Sequence, residues 1–261
     1  MEATGRRGMS SIRRLRLLSA NIQAGSSTRG YHDYVARSWS HVLPAGNKRN
    51  SLDTIARLAA EHDIVGLNES DPGSLRSGFT NQTHYIAERG GFPYWTHQPN
   101  RRVGGVASSA NGLLSKLEPR EVSDHALPGR VKGRGVLVAR FGDGDDALTV
   151  AIAHLSLGAA SRASQLAFIA ELLQGRSNVV LMGDFNCTIE QPEMAALFAR
   201  TRLQPPPRPL LTFPAWRPQR AIDHVLVGDG LRHGDARAVP AAFSDHLAVS
   251  IDIDVPEEAL R

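Results

Sequence analysis

Residues 178–186 read NVVLMGDFN, and this stretch decides the fold. Val179, Val180, Leu181 and Met182 form an unbroken apolar run, which fits a short strand covered on both faces. Gly183 stops the run, and Asp184 and Asn186 then stand one residue apart. Ligands of α/β sheets gather beyond the carboxyl ends of the strands, so a strand that delivers an acid and an amide at its end reads as one wall of a site. The same nine residues also read as an ordinary strand followed by an Asp/Asn turn.

Working outward, the pattern recurs. Residues 15–22 (LRLLSANI) read as a first strand running into Asn21, Gln23 and Gly25, with a loop after them. Residues 26–50 read as a long connection with a short helix. Leu52, Ile55, Leu58 and Ala59 then recur at helical spacing behind a cap at Asn50 or Ser51. Residues 63–68 (DIVGLN) are a second apolar strand, ending on Glu69. Residues 70–100 read as the longest insertion, and long loops beside a site often select the substrate. A glycine-led segment, 104–117, runs into another strand. A hairpin of 134–141 and 147–154 ends on His154, and a helix over 161–174 leads into the organising strand. Pro192 starts another helix. Residues 204–218 carry six prolines, a stiff loop. The last two strands are 222–227, with Asp223 near its start, and 247–253, with Asp245 and His246 immediately before it.

The totals narrow the function classes. At 261 residues and 41% hydrophobic content the chain suits a soluble globular protein with a sizeable core. No run approaches the ~18 apolar residues that span a bilayer, and no apolar signal region opens the chain, so a cytoplasmic protein without membrane insertion is expected. Cys187 is the single cysteine, which excludes an internal disulfide. The net charge of +4 equals the excess carried by Arg6, Arg7, Arg13, Arg14 and Arg16 over Glu2, leaving the rest neutral. Residues 1–14 therefore read as a flexible basic arm and 15–261 as a single α/β domain, expected to be a monomer.

Collected, the polar groups at strand ends are Asn21, Glu69, His154, Asp184, Asn186, Asp223, Asp245 and His246. Each has a structural explanation on its own. Together they suit a hard divalent cation, which prefers oxygen ligands, with two imidazoles for proton handling or charge stabilisation. Mg²⁺ is the expected cofactor, with Mn²⁺ as the substitute, and a phosphoester the expected substrate.

On these residues the chain resembles the endonuclease/exonuclease/phosphatase superfamily, which includes deoxyribonucleases, abasic-site endonucleases, sphingomyelinases and inositol polyphosphate phosphatases. The matching motifs are NIQAG at 21–25, DIVGLNE at 63–69, NGLLSK at 111–116, AHLS at 153–156, GDFN at 183–186, TFP and AIDHVLV within 212–227, and SDHLAV at 244–249, in the family's order. The resemblance implies a four-layer α/β sandwich, two packed mixed β-sheets flanked by helices, with the site at one end. It implies that Glu69 is the principal metal ligand, with Asn21 and Asp245 beside it. Asp184 and Asn186 would position the attacking water and hold the phosphate. His246, oriented by Asp223, would contact the scissile phosphate, and His154 matches the second histidine of the deoxyribonuclease and sphingomyelinase branches. Gln23 stands where many abasic-site enzymes have an acid, which removes a second acidic ligand there. Arg76 and Trp95 in the insertion, with Asn111, are the candidate substrate-binding residues.

The resulting expectation is a Mg²⁺-dependent phosphoester hydrolase, foremost a phosphodiesterase. A DNA or RNA nuclease of the same fold is the alternative, for which Tyr31, Trp39, Arg76, Trp95, Arg101 and Arg102 could supply cations and stacking faces. A catalytically inactive binding module is the alternative from another class, although every acid and histidine position is filled.

Overall fold

Side chains alternate along a strand, and that alternation sorts this chain into layers. The computed structural model describes residues 11–23, 47–74, 77–103, 107–129, 133–240 and 244–261. In chain order the elements are β1 (Ile12–Asn21), α1 (Asn47–Ala60), β2 (Ile64–Ser70), α2 (Gln82–Gly90), β3 (Tyr94–Val103), β4 (Ala107–Ser115), β5 (Glu121–Ala126), β6 (Gly135–Phe141) and β7 (Leu148–His154). There follow α3 (Ala159–Leu173), β8 (Val179–Asp184), α4 (Pro192–Arg200), β9 (Leu203–Gln204), β10 (Asp223–Gly228), β11 (Arg232–His233), β12 (Arg237–Val239), β13 (Ala248–Pro256) and a 3₁₀ turn at Glu257–Leu260.

The strands form two mixed sheets. Sheet 1 runs β11-β13-β1-β2-β4-β3, with β12 also paired to β13, and sheet 2 runs β5-β6-β7-β8-β10-β9. Odd-numbered positions of β1, such as Leu15 and Leu17, meet Val180 and Met182 of β8 in a core between the sheets. The opposite face of sheet 1, through Leu18, Ala20, Val65 and Leu67, packs on Leu52, Ile55, Ala56 and Ala59 of α1 and Ile86 of α2. The outer face of sheet 2, through Val138, Ala151 and Leu181, packs on Leu166, Ile169 and Leu173 of α3 and Met194 and Leu197 of α4. The order of layers is thus helices, sheet 1, sheet 2, helices, which is the expected four-layer sandwich.

The inner row of each central strand explains where the site sits. Leu15 and Leu17 give way to Ser19 and Asn21; Ile64 and Gly66 to Asn68; Val150 and Ile152 to His154; Val180 and Met182 to Asp184; and Val227 and Val225 to Asp223. Five strands turn from apolar to polar at one end of the same core. The parallel pairs β1/β2 and β7/β8 place their carboxyl ends there, and antiparallel β10 places its amino end there, with Asp223 opposite Asp184.

Two expectations are corrected. Residues 70–100 are not one irregular insertion: they hold α2, capped by Asn81 and closed by left-handed Gly91, and most of β3. β3 escapes the sequence pattern because it is a polar edge strand interrupted at Pro99, where the register shifts. The basic arm ends sooner than 14, because residues 12–14 already pair with 254–256 in β13. The proline-rich stretch is the expected loop, and Pro206, Pro207 and Pro209 line a cavity together with residues 223–225 of β10.

Candidate active site

The two sheets hold their polar ends against each other. Glu69 arrives on sheet 1 through a register break between Leu67 and Ser70, with φ of 57°. A β-bulge of this kind re-aims one side chain, here a carboxylate that otherwise points along the strand row. Asn21 Nδ2 donates to Asp184 Oδ2 at 3.1 Å and to Glu69 Oε1 at 3.4 Å. His154 Nε2 lies 3.5 Å from Asp184 Oδ2 and 3.7 Å from Glu69 Oε1. On the other side of Asp184, His246 Nδ1 faces Asp223 Oδ1 at 3.0 Å and Oδ2 at 2.9 Å. Asp245 Oδ1 stands 3.9 Å from His246 Nε2. Seven of the eight residues gathered from the sequence thereby fall into two contact groups, of four and of three, which the pairing of Asp184 with Asp223 sets side by side.

Asn186 completes the set by shaping the loop. Its backbone N–H donates to Asp184 Oδ1 at 2.9 Å, its amide donates to Leu155 O, and its φ is 55°, a conformation asparagine tolerates better than most residues. Gly183 has φ of 140°, and a Cβ there would meet the backbone oxygen of Ala153 at 1.9 Å, so the glycine of GDFN is sterically required.

Electrostatics follow from crowding in a dry place. Burial, reinforced by Asp223 and Glu69, pushes the Asp184 carboxyl up to about 7, against the opposing pull of His246 and of the Asn186 N–H. Burial also raises Asp245. Burial, with Arg134 and His246 as neighbouring positive charges, holds His154 well below its ordinary value and therefore neutral. For His246 burial acts in the same direction, but Asp223, with Asp184 and Asp245 beyond it, outweighs it and pushes the imidazole up to about 10.

The residues present fit a divalent cation. Asp245 Oδ1 is buried and has no hydrogen-bond partner among the described residues, with His246 Nε2 facing it only at 3.9 Å, which leaves the oxygen open to a closer cation. Glu69, His154 and Asp184 bring one ligand atom each within 4.8 Å of one another, and Asp184, Asp223 and His246 do the same. The donors are mostly carboxylate oxygens, which suits a hard cation. Glu69 and Asp245, with the amide of Asn21 turned to present its oxygen, are the groups that would hold it.

Not every expected residue joins. Asn111, expected to contact substrate, is fully buried, and its amide is engaged by Asn68, Gln98 and the Gly135 carbonyl behind the site. Trp95 is two strands across and four residues along from Glu69, about 10 Å by about 13 Å at ordinary strand spacings. There it stacks between His84 and His97. Tyr31, Trp39 and Arg76 lie outside the described residues, as do the side chains of Arg101 and Arg102.

Sequence reasoning misses three supports. Thr212 Oγ1 donates to Asp223 Oδ2 at 2.6 Å, Ser244 Oγ accepts from the His246 N–H, and Asn68 Oδ1 accepts from the Asp184 N–H at 2.9 Å. Thr212 and Ser244 lie inside the quoted TFP and SDH motifs. The signal for Asn68 is an amide on the inner row of a strand whose other inner members are Ile64 and Gly66.

The sequence profile of the endonuclease/exonuclease/phosphatase family matches residues 18–246, which contain every side chain of this cluster. The chain belongs to that family. Members of the endonuclease/exonuclease/phosphatase family are phosphoester hydrolases, among them phosphatases, nucleases and sphingomyelinases. Solved structures of the same fold include an endonuclease/exonuclease/phosphatase from Beutenbergia cavernae, with a TM-score of 0.69 and 20% identity over 93% of this chain and 72% of that one. A mannosyl-6-phosphatase from Bacteroides thetaiotaomicron gives a TM-score of 0.63 and 16% identity over 92% and 99% of the two chains. Beta toxin from Staphylococcus aureus gives 0.62 and 16% over 91% and 99%. No curated protein sequence matches the chain significantly.

Proposed function

We propose that this protein is a Mg²⁺-dependent phosphodiesterase that cleaves its substrate by in-line attack of water. The observation that carries the reading is the meeting of Glu69 from sheet 1 with His154 from sheet 2 at 3.7 Å, and with Asp184 through Asn21, beside the His246–Asp223 pair. A bound divalent cation supplies Lewis-acid stabilisation of the charge that develops on the phosphoryl oxygens. Glu69 and Asp245 would hold it, with the amide oxygen of Asn21.

The chain's own groups supply the rest. Asp184, with a value near neutrality and its Oδ1 fixed by the Asn186 N–H, is suited to take a proton from the attacking water. Positively charged His246, held by Asp223, presents Nε2 to the non-bridging phosphate oxygens. Neutral His154 keeps a hydrogen-bonding nitrogen on the opposite side of Asp184. Thr212 fixes the Asp223 carboxylate so that the imidazole of His246 keeps one orientation, and the ring of Phe213 packs 4.8 Å from it.

One placement favours the nuclease reading within the same chemistry. β3 and β4 continue past Ser70, the last paired residue of β2, with Arg101 opposite Ser109 and Arg102 opposite Ser108. That hairpin carries two arginines beyond the end of the sheet where Glu69 sits, as a second phosphate contact would require. The mannosyl-6-phosphatase among the neighbours keeps phosphomonoesters in view.

The test is a panel of diesters, monoesters and single- and double-stranded DNA and RNA, assayed with Mg²⁺, with Mn²⁺ and with EDTA. Diester turnover that EDTA abolishes and Mg²⁺ restores supports the proposal. Turnover of monoesters alone would reassign the substrate class, and turnover unaffected by EDTA would remove the metal. A steep loss of nucleic-acid affinity with salt would select the nuclease reading.

A further inference from the structure

Behind the carboxylates, the inner face of sheet 1 carries three buried amides side by side: Gln98 on β3, Asn111 on β4 and Asn68 on β2. Gln98 Nε2 donates to the His125 carbonyl at 3.0 Å, and Gln98 Oε1 accepts from Asn111 Nδ2 at 3.1 Å. Asn111 Nδ2 also donates to the Gly135 carbonyl at 2.9 Å, while its Oδ1 accepts from Asn68 Nδ2 at 2.9 Å. Asn68 Nδ2 reaches the Ala153 carbonyl at 3.3 Å, and Asn68 Oδ1 accepts from the Asp184 N–H at 2.9 Å. The row thus crosses three strands of sheet 1 and bonds into β5, β7 and β8 of sheet 2 and the first residue of β6.

We propose that this amide row is the device that sets the spacing between Glu69 on sheet 1 and Asp184 on sheet 2, with Asn68 the positioning residue. Apolar contact between the sheets is non-directional and fixes no register to a fraction of an ångström. A cation held by Glu69 on sheet 1 and a water activated by Asp184 on sheet 2 act together only if the two carboxylates are held within about 0.5 Å of their working geometry. Hydrogen bonds are directional, and Asn68 is placed to use that property. It precedes Glu69 in the chain and accepts from the backbone of Asp184, so one side chain joins the two acids. On the other flank of the bulge, Ser70 Oγ is held by Thr83 Oγ1 at 2.9 Å. Glu69, in its left-handed conformation, is therefore clamped by an anchored residue on each side.

The amides have no simpler use. The positions are fully or almost fully buried, where aliphatic side chains would supply more burial energy without the cost of desolvating six polar atoms. None of the three is exposed enough to touch substrate. Buried polar rows that are completely bonded specify one arrangement of the elements they join.

The effect on catalysis rests on the reading of the site given above; the effect on geometry does not. The test measures three quantities for Asn68→Ala, Asn111→Leu and Gln98→Leu: Mn²⁺ affinity by electron paramagnetic resonance, kcat and KM on the best diester of the panel, and Tm in EDTA. Asn68→Ala is expected to weaken Mn²⁺ binding by about tenfold or more, through Glu69 next to it in the chain, and to lower kcat by about 10- to 100-fold with KM little changed, the range found for the outer groups that orient a metal site. Asn111→Leu, which touches no group of the site, should follow in the same direction with a smaller change, and Gln98→Leu with a smaller one still. Ile253→Ala, in the core toward the opposite end of β13, should lower Tm while leaving Mn²⁺ affinity and kcat intact. Amide variants that resemble Ile253→Ala, losing Tm alone, would overturn the proposal. Asn111→Leu decides the matter if Asn68→Ala fails to fold. A wild-type protein that binds Mn²⁺ but cleaves nothing on the panel would remove the hydrolase reading, and the Mn²⁺ affinities would still decide the role of the row.

Discussion

The two ends of the sandwich treat the same residue types in opposite ways. At the end where β1 begins, acids are matched and wet. Asp254 pairs with Arg14 at 2.9 Å, Asp252 with Arg16 at 3.1 Å and Arg237 at 3.3 Å, and Asp63 accepts from the Arg16 N–H with Lys116 3.9 Å away. At the end where β1 finishes, Asp184, Asp223 and Asp245 are buried with histidines for neighbours, and Asp184 is driven up to about 7. Exposed pairs of the first kind are worth little and strain nothing. Buried acids of the second kind oppose folding, and a chain keeps such a cluster where it has chemistry to perform. The contrast locates the functional end without reference to any relative.

The largest expected effect comes from the joint between the core and the site. Gly183→Ala forces a Cβ into a backbone carbonyl at a φ of 140°. It should cost about 3 kcal/mol or more in chemical denaturation and take activity with it. A smaller loss would mean that β8 can shift away from β7.

Asp184→Asn sharpens the contrast directly. Turnover should fall by about 10²-fold or more, yet Tm in EDTA should stay level or rise, because a crowded buried charge has been removed. A drop in Tm would show that the acid is structural after all.

A titratable group away from the site gives an intermediate effect. His62 is buried between the Leu58 carbonyl and Ser250 Oγ, at 2.9 Å from each, and burial lowers its value. A histidine lowered in the fold contributes stability that is complete above its ordinary value of about 6.5 and is lost as pH falls through the folded value. His62→Gln should therefore flatten the decline of Tm below pH 6.5, with activity at neutral pH unchanged. Superimposable pH profiles would place the charged ring in water. The smallest effect belongs to the matched end: Asp252→Ala should cost less than about 1 kcal/mol and leave kcat untouched.

Much of this was legible in the chain. The run 179–182 is apolar because β8 is covered on both faces, and strands of that kind announce themselves. The acids and histidines were legible because they recur at one station, the polar end of an apolar run. Edge strands were not: β5 (EVSDHA) is half exposed and looks like a loop, and β3 carries Pro99 and two arginines. The bulge that aims Glu69 depends on tertiary pairing and leaves no local mark. Asn111 lies in the middle of β4, and the sequence alone does not tell whether a polar residue there faces substrate or the opposing sheet. The distance of Trp95 from the acids was not legible, because an exposed aromatic in an apparent loop carries no record of it.

The amide row also bears on when the site comes into being. Its members, the acids it braces and the carbonyls it bonds come from seven strands, β2 to β8, with Asn68 and Asp184 separated by 116 residues. No early, local structure can present that geometry; it exists only after both sheets have closed on each other. Cation binding is then coupled to the completed tertiary structure alone, so added Mn²⁺ should raise the melting temperature with the logarithm of its concentration above Kd and leave partly assembled molecules unstabilised.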